Sequence, residues 1–229
     1  TGQTLKLMEE SIRPGITTLE LDKLAEKFIR DNGCIPSFKN YCGYPASICV
    51  SVNEEVVHGI PNANRILKEG DIVSLDAGVI YKGYHSDAAR TYGVGNISLE
   101  ATQLVEVTKQ CFFEGIKFAK PGNHLHDISN AIMDYATRFG YGVVRDLTGH
   151  GIGSHLHEDP DIPNFRQKKR GPQLVPGMTL AIEPMISQGT YEVEVLLDNW
   201  TAVTADGKLA AHYENTVVIT DGEPELLTL

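Results

Sequence analysis

The feature that constrains this chain most is that its pattern occurs twice. Pro14-Gly15 is followed 19 residues after the proline by Gly33, and Pro121-Gly122 is followed at the same distance by Gly140. Between each pair, apolar residues recur at helical spacing: Leu21, Leu24, Ala25, Phe28 and Ile29 in the first copy, Ile128, Ala131, Ile132, Tyr135 and Ala136 in the second. Pro-Gly before such a run and Gly after it are start and stop signals for a helix. Downstream, EGDIVSLDAGVI (69–80) lies over PGMTLAIEPMI (176–186), so the step from Gly70 to Asp76 is repeated from Gly177 to Glu183. HSDAART (85–91) then lies over HYENTVV (212–218), placing Asp87 beside Glu214. Three matches in the same order predict a duplicated αβ unit, roughly residues 11–95 and 112–220, within a single domain spanning 1–229. Two such halves are expected to pack about a pseudo-twofold axis, with superposed residues converging near it.

That expectation brings four acids together. Asp76 and Glu183 lie in apolar runs, VSLDAGVI and TLAIEPMI, where an unpaired carboxylate is costly. Lys82-Gly83 reads as a turn between the strands around Asp76 and Asp87, which predicts that these two are cross-strand neighbours with Cβ atoms about 5 Å apart. Like charges at that distance require a proton or a cation between them. Carboxylates with one imidazole suit Mn²⁺, Fe²⁺, Co²⁺ or Zn²⁺, and four acids are enough to bridge two ions. The imidazole is expected from LTGHGIGSHLHEDP (147–160), which holds His150, His155 and His157 without the H-E-x-x-H spacing of a zincin. His150 reads as part of a glycine-flanked turn that permits close approach, while His155 and His157 are two apart. Spacing alone leaves the three as comparable candidates.

Composition removes several other classes. The 229 residues carry 20 Lys and Arg against 30 Asp and Glu, a net charge of −10 that disfavours non-specific binding to nucleic acid or an anionic membrane. No apolar run approaches the ~20 residues needed to span a bilayer. Cys34, Cys42, Cys49 and Cys111 form no C-x-x-C pair and are read as reduced thiols of a cytoplasmic protein. The opening TGQTLKLMEESI resembles the middle of an amphipathic helix, so further N-terminal sequence is expected to precede Thr1.

HGIP (58–61), SLDAGVIYKGYHSDAARTY (74–92), GHGIGSHLHEDP (149–160), PGMTLAIEP (176–184) and AHYENTVVIT (211–220) together resemble the signature of the bacterial-type, type I methionine aminopeptidases of the M24 metallopeptidases. The resemblance implies the α+β pita-bread fold, two pseudo-twofold-related αβ halves around an antiparallel sheet, which agrees with the repeat. It implies a dinuclear metal site held by Asp76, Asp87, His150, Glu183 and Glu214. The two divalent ions would be Co, Mn, Fe or Zn. A water activated between them would attack the scissile carbonyl, with Glu183 relaying its proton. His157 resembles the histidine that stabilises the tetrahedral intermediate, and His58 the residue that contacts the scissile amide nitrogen. Phe38, Tyr41, Tyr44, Cys49, Leu156 and Trp200 resemble the wall of the methionine pocket, with Leu156 standing where family members place an aromatic. His155 matches no role and is read as a loop imidazole. The implied partner is the N-terminal methionine of nascent chains, met transiently at the ribosome by a monomer that binds neither nucleic acid nor membrane. The alternatives are an Xaa-Pro aminopeptidase or prolidase on the same fold, and a non-catalytic relative that would have lost metal ligands.

Overall fold

A computed structural model describes all of residues 1–229. The first half runs through α1 (Gly2–Ser11), α2 (Thr18–Asp31), β1 (Ile35–Pro36), β2 (Cys49–Val52) and β3 (Glu55–Val57) to a long hairpin, β4 (Ile72–Tyr81) and β5 (Tyr84–Gly93). Helix α3 (Leu99–Ile116) leads into α4 (Leu125–Thr137), β6 (Gly142–Val143), β7 (Gly149–Gly151), β8 (Glu158–Ile162), β9 (Thr179–Ile182) and β10 (Met185–Ser187). The chain closes with β11 (Val193–Val195), β12 (Ala202–Thr204), β13 (Ala210–His212), β14 (Asn215–Val218) and β15 (Glu225–Leu226). Every pairing between these strands is antiparallel. No helix is long and apolar enough to cross a membrane.

Helices α2 and α4 form where the periodicity places them, and their caps are built alike. In α2 the Thr17 hydroxyl accepts from Glu20 N while the Glu20 carboxylate accepts from Thr17 N; in α4 the Asp127 carboxylate accepts from His124 N. Leu21 and Ala25 face one core with α1 and the hairpin, while Ile128, Ile132 and Ala136 face a second core with α3 and the sheet of the second half.

Strand pairings of the first half recur in the second. β1 pairs with β4 as Ile35 with Ile80 and Pro36 with Val79; β6 pairs with β10 as Gly142 with Ser187 and Val143 with Ile186. The bridge from Thr17 to Ile66 recurs as His124 to Gln173. Gly70 and Gly177, which start the equivalent strands, share a left-handed backbone, φ 90° and 93°. Asp76 and Glu183 are therefore true equivalents.

The second carboxylates are not. Asp87 faces Gly78 across the first hairpin, whereas it is His212 that faces the equivalent Met185 in the second. Two threonines confirm the match: Thr91 Oγ1 bonds both N and O of His212, and Thr216 Oγ1 bonds both N and O of Asp87, all between 2.8 and 2.9 Å. The equivalents are thus Asp87 with His212, Ala89 with Glu214 and Thr91 with Thr216, and Glu214 N donates to Ala89 O at 2.9 Å on the axis itself. The sequence alignment of HSDAART with HYENTVV was two residues out of step. A two-residue slide keeps every side chain on its original face, so the polarity pattern of a strand cannot detect it.

The Lys82-Gly83 turn is as predicted, with both residues left-handed (φ 51° and 86°), as a two-residue hairpin loop requires. Its centre lies between those two residues, so Asp76 faces Ala89 and Asp87 faces Gly78. The two aspartates are diagonal neighbours on one face, not the directly opposed pair expected.

Candidate metal centre and active site

One cavity of about 440 Å³ takes in every site residue drawn from the sequence. Asp76, Asp87, His150, Glu183 and Glu214 all line it, as do His58 and His157 and the apolar residues Phe38, Tyr41, Tyr44, Cys49, Leu156 and Trp200. Candidate ligand atoms of Asp87, His150 and Glu214 lie within 4.8 Å of one another.

Each candidate donor is delivered by an element with a local reason for its position. Asp76 and Asp87 project from the same face of the β4–β5 hairpin. Glu183 and Glu214 sit in the short breaks between β9 and β10 and between β13 and β14. His150 was expected in a glycine-flanked turn; it is instead the middle residue of β7, which is wedged between β8 and β9. The flanking glycines serve that wedge: a Cβ on Gly149 would lie 2.4 Å from Ala181 O, and one on Gly151 would lie 2.3 Å from Asp159 O. His150 Nδ1 lies 2.8 Å from Gly151 O, and since a carbonyl only accepts, Nδ1 carries the proton and Nε2 is left bare, 3.7 Å from Glu183 Oε1. This is the tautomer a metal ligand needs.

Electrostatically the cluster is frustrated as it stands. Asp87 and Glu214 are buried, and Asp76 Oδ1, Asp87 Oδ1 and Glu214 Oε1 have no hydrogen-bond partner. Burial, reinforced by the neighbouring acids, pushes Asp76, Glu183 and Glu214 well above the usual carboxylate range, and burial carries Asp87 up to about 6. Burial pushes His150 down to about 4, so its imidazole is neutral at pH 7. Orphaned carboxylate oxygens facing a bare imidazole nitrogen fit a divalent cation, which supplies the missing partner and removes the repulsion.

The cavity wall is apolar. Phe38, Tyr44, Ala46, Cys49, Ile152, Leu156 and Ala181 form a cluster of their own, with Tyr41, Ile60 and Trp200 packed against it. Phe38 lies over Gly78, where a Cβ would come within 2.5 Å of its ring. Tyr44 meets Trp200 edge-on at 5.1 Å, and its hydroxyl donates to Gly59 O at 3.0 Å. Gly59 in turn tolerates no side chain, since a Cβ would sit 2.3 Å from Val50 O. Burial, then Asp76, raises the Cys49 thiol, which remains neutral. Trp200 is held by Asp198, whose carboxylate accepts from Trp200 N and Thr201 N, both at 2.9 Å.

The remaining histidines separate clearly. His157 stands at the rim, 4.2 Å from the His150 ring between centroids, with Nδ1 2.8 Å from the Tyr41 hydroxyl. His58, left-handed at φ 59°, faces Trp200 edge-on at 6.2 Å. Burial lowers the pKa of both. His155 is an exposed loop residue beside Ser154 and Glu158 and lines no part of the cavity.

Sequence reading missed several neighbours. Cys42, Val57, Asp146, Leu147, Thr148 and Met185 also line the cavity. His212 is buried with Nε2 3.4 Å from Glu183 Oε2. Strand alternation was the available signal for two of them, because Met185 stands two residues after Glu183 and His212 two before Glu214.

Fold and site together define a metal-dependent hydrolase on a duplicated αβ unit. The sequence pattern of metallopeptidase family M24 matches residues 1–221. A methionine aminopeptidase of Clostridium acetobutylicum is 58% identical over 228 residues, covering 100% of this chain and 91% of the relative. The crystal structure of methionine aminopeptidase from Rickettsia prowazekii superposes with a TM-score of 0.97 at 41% identity, covering 100% of this chain and 92% of that one. An Xaa-Pro dipeptidase from Bacillus anthracis shares the fold at a TM-score of 0.78 and 26% identity, with this chain covering 57% of its length. The chain belongs to metallopeptidase family M24 and, within it, to the methionine aminopeptidases, with their pita-bread fold.

Proposed function

We propose that this chain is the aminopeptidase that removes methionine from the N-termini of peptides and nascent proteins, with Asp76, Asp87, His150, Glu183 and Glu214 holding two divalent ions. The observation that carries this reading is the convergence of those donors in a cavity whose other walls are aromatic and apolar. Bound divalent ions lower the pKa of water toward neutrality and polarise a carbonyl oxygen.

The chain's own groups supply the rest. Glu183 is the carboxylate suited to take a proton from the attacking water and pass it to the leaving amine, because it sits in the break between β9 and β10 and lines the open cavity with 13% of its side chain exposed. With Nδ1 of His157 engaged by the Tyr41 hydroxyl, Nε2 is the atom free to donate to the carbonyl oxygen as negative charge develops. His58 stands on the Trp200 side, placed to contact the scissile amide nitrogen. Phe38, Tyr41, Tyr44, Leu156 and Trp200 surround the side-chain pocket, and the neutral Cys49 thiol adds a polarizable surface; sulfur against aromatic edges favours a thioether over an equally long polar chain. The acid cluster would receive the substrate's α-ammonium, which limits cleavage to the first residue.

The likeness to the Clostridium acetobutylicum methionine aminopeptidase supports this substrate over an Xaa-Pro peptide. Free Cys34, Cys42, Cys49 and Cys111 suit the reducing cytoplasm, where a monomer would meet nascent chains. The test is release of the first residue from Met-Ala-Ser and from a matched Xaa-Pro peptide, by protein stripped with chelator and reloaded with Mn²⁺ or Co²⁺. Metal-dependent cleavage of the methionine peptide alone is expected. Cleavage of the proline peptide alone would move the chain to the prolidase side of the family.

A further inference from the structure

We propose that His212 is a positioning residue of this centre, holding the carboxylate of Glu183 and standing beside that of Glu214. The inference rests on the reading of those two acids as metal ligands. His212 ends β13 with 1% of its surface exposed, and neither ring nitrogen has a hydrogen-bond partner within the protein. Its Nε2 lies 3.4 Å from Glu183 Oε2 and 4.0 Å from Glu214 Oε2. Glu183 is thereby flanked by two imidazoles, with His150 Nε2 on the Oε1 side.

The placement of the ring is built, not incidental. Thr91 Oγ1 bonds both N and O of His212, which fixes its backbone on β5. The residue occupies the pseudo-twofold position of Asp87, so the duplication aims it at the same centre from the opposite half. His212 also borders a second cavity of about 200 Å³ shared with Glu9, Arg90, Glu106 and Lys109.

A neutral imidazole has one N–H to give. Once the acids are ionised around cations, their oxygens accept, and an Nε2–H donated to Glu183 Oε2, 3.4 Å away, fixes the rotamer of Glu183. An uncoordinated partner of this kind sets ligand orientation, and its loss typically weakens metal binding 10–100-fold. His212 differs from His150 in this respect: His150 presents a bare nitrogen, His212 a proton.

The experiment titrates chelator-stripped protein with Mn²⁺ by calorimetry, comparing wild type, His212→Leu and His212→Gln. His212→Leu is expected to raise the Mn²⁺ Kd about 10–100-fold and to alter the visible spectrum of the Co²⁺ protein. It should also lower kcat on Met-Ala-Ser with little change in KM. His212→Gln keeps an N–H donor at similar reach and is expected to stay within about threefold of wild type. Wild-type Mn²⁺ affinity in folded His212→Leu overturns the proposal, as does a folded His212→Gln that fails as badly as the leucine. Should His212→Leu not melt cooperatively, His212→Asn, whose shorter amide falls short of Glu183, takes its place with the same readings. Wild-type protein that binds no Mn²⁺ would overturn the metal centre itself, which keeps the two failures apart.

Discussion

The β4–β5 hairpin and its counterpart in the second half start from one plan and end differently. In the first half the ribbon is unbroken: ten residues pair with ten around a two-residue turn. In the second half each strand is interrupted, β9 from β10 at Glu183-Pro184 and β13 from β14 at Tyr213-Glu214, and the return loop carries an added hairpin, β11–β12. The interruptions fall at the two glutamates. A regular strand points its side chains along fixed directions, which suits the short, rigid Asp76 and Asp87. Breaks at Glu183 and Glu214 free longer carboxylates to reach the same point from the other side. The added hairpin delivers Trp200 as a pocket wall, a part with no counterpart in the first half. One copy of the repeat thus supplies a stiff platform, and the other supplies reach and, on the proposed function, proton handling and specificity.

That division can be broken experimentally, beginning with the largest expected effect. Glu183→Ala removes the acid at the break and should lower kcat on the order of 10³-fold in a folded, metal-loaded protein. His157→Ala should fall in the same direction, by about 10²-fold or more if its donor stabilises the developing oxyanion. Near-normal turnover in either variant would refute the role assigned.

Trp200→Ala tests the added hairpin. Losing a large apolar wall should cost about 1.5–3 kcal/mol of substrate binding, roughly a 10–100-fold drop in kcat/KM carried mainly by KM. A variant with normal KM for methionine peptides would remove the second half's claim to specificity.

The acid cluster where the halves meet predicts a pH dependence for chelator-stripped protein. Asp76, Glu183 and Glu214 are raised in the folded state, so folding retains protons that the unfolded chain releases, and stability falls as pH rises. His150 and His212 are lowered, and their opposite contribution is complete once pH exceeds the unfolded histidine value of about 6.5. The melting temperature of metal-free protein should therefore fall as pH rises through the raised carboxyl values, and Mn²⁺ should restore it. A flat profile in chelator would mean that the carboxyls are not held protonated.

The smallest effect sharpens the symmetry itself. Thr91→Val and Thr216→Val each strip the partner from a buried N–H on the opposite half, and each should cost about 1–3 kcal/mol in denaturant unfolding. Similar costs are expected because the two threonines are pseudo-twofold equivalents; a gap of several kcal/mol would show that the repeat is not energetically symmetric.

Much of this was legible in the chain. Helices α2 and α4 follow from apolar spacing between Pro-Gly and Gly, and the Lys82-Gly83 turn from a glycine-containing dipeptide between two runs of β-forming residues. Asp76 and Glu183 were paired correctly because each stands at a fixed step from a turn glycine. The alignment of Asp87 with Glu214 failed by two residues, since matching histidine and acid letters outweighed a register that only the Thr91 and Thr216 hydrogen bonds set. His212 was overlooked for the same reason: aligned with His85, it carried no sign of standing where Asp87 stands.

By itself, then, the sequence carried the repeated pattern, helices α2 and α4, the first hairpin and the residue types of the candidate donor set, because local periodicity and residue type act over short distances along the chain. The choice of His150 over His155 rested on likeness to a family until the strands were placed. Only the tertiary structure decided which histidine has a bare nitrogen facing the acids, which glycines make room for β7, and which residues of the two halves are equivalent. Those are contacts between segments far apart in sequence, and a strand slid by two residues looks the same until its partner is seen.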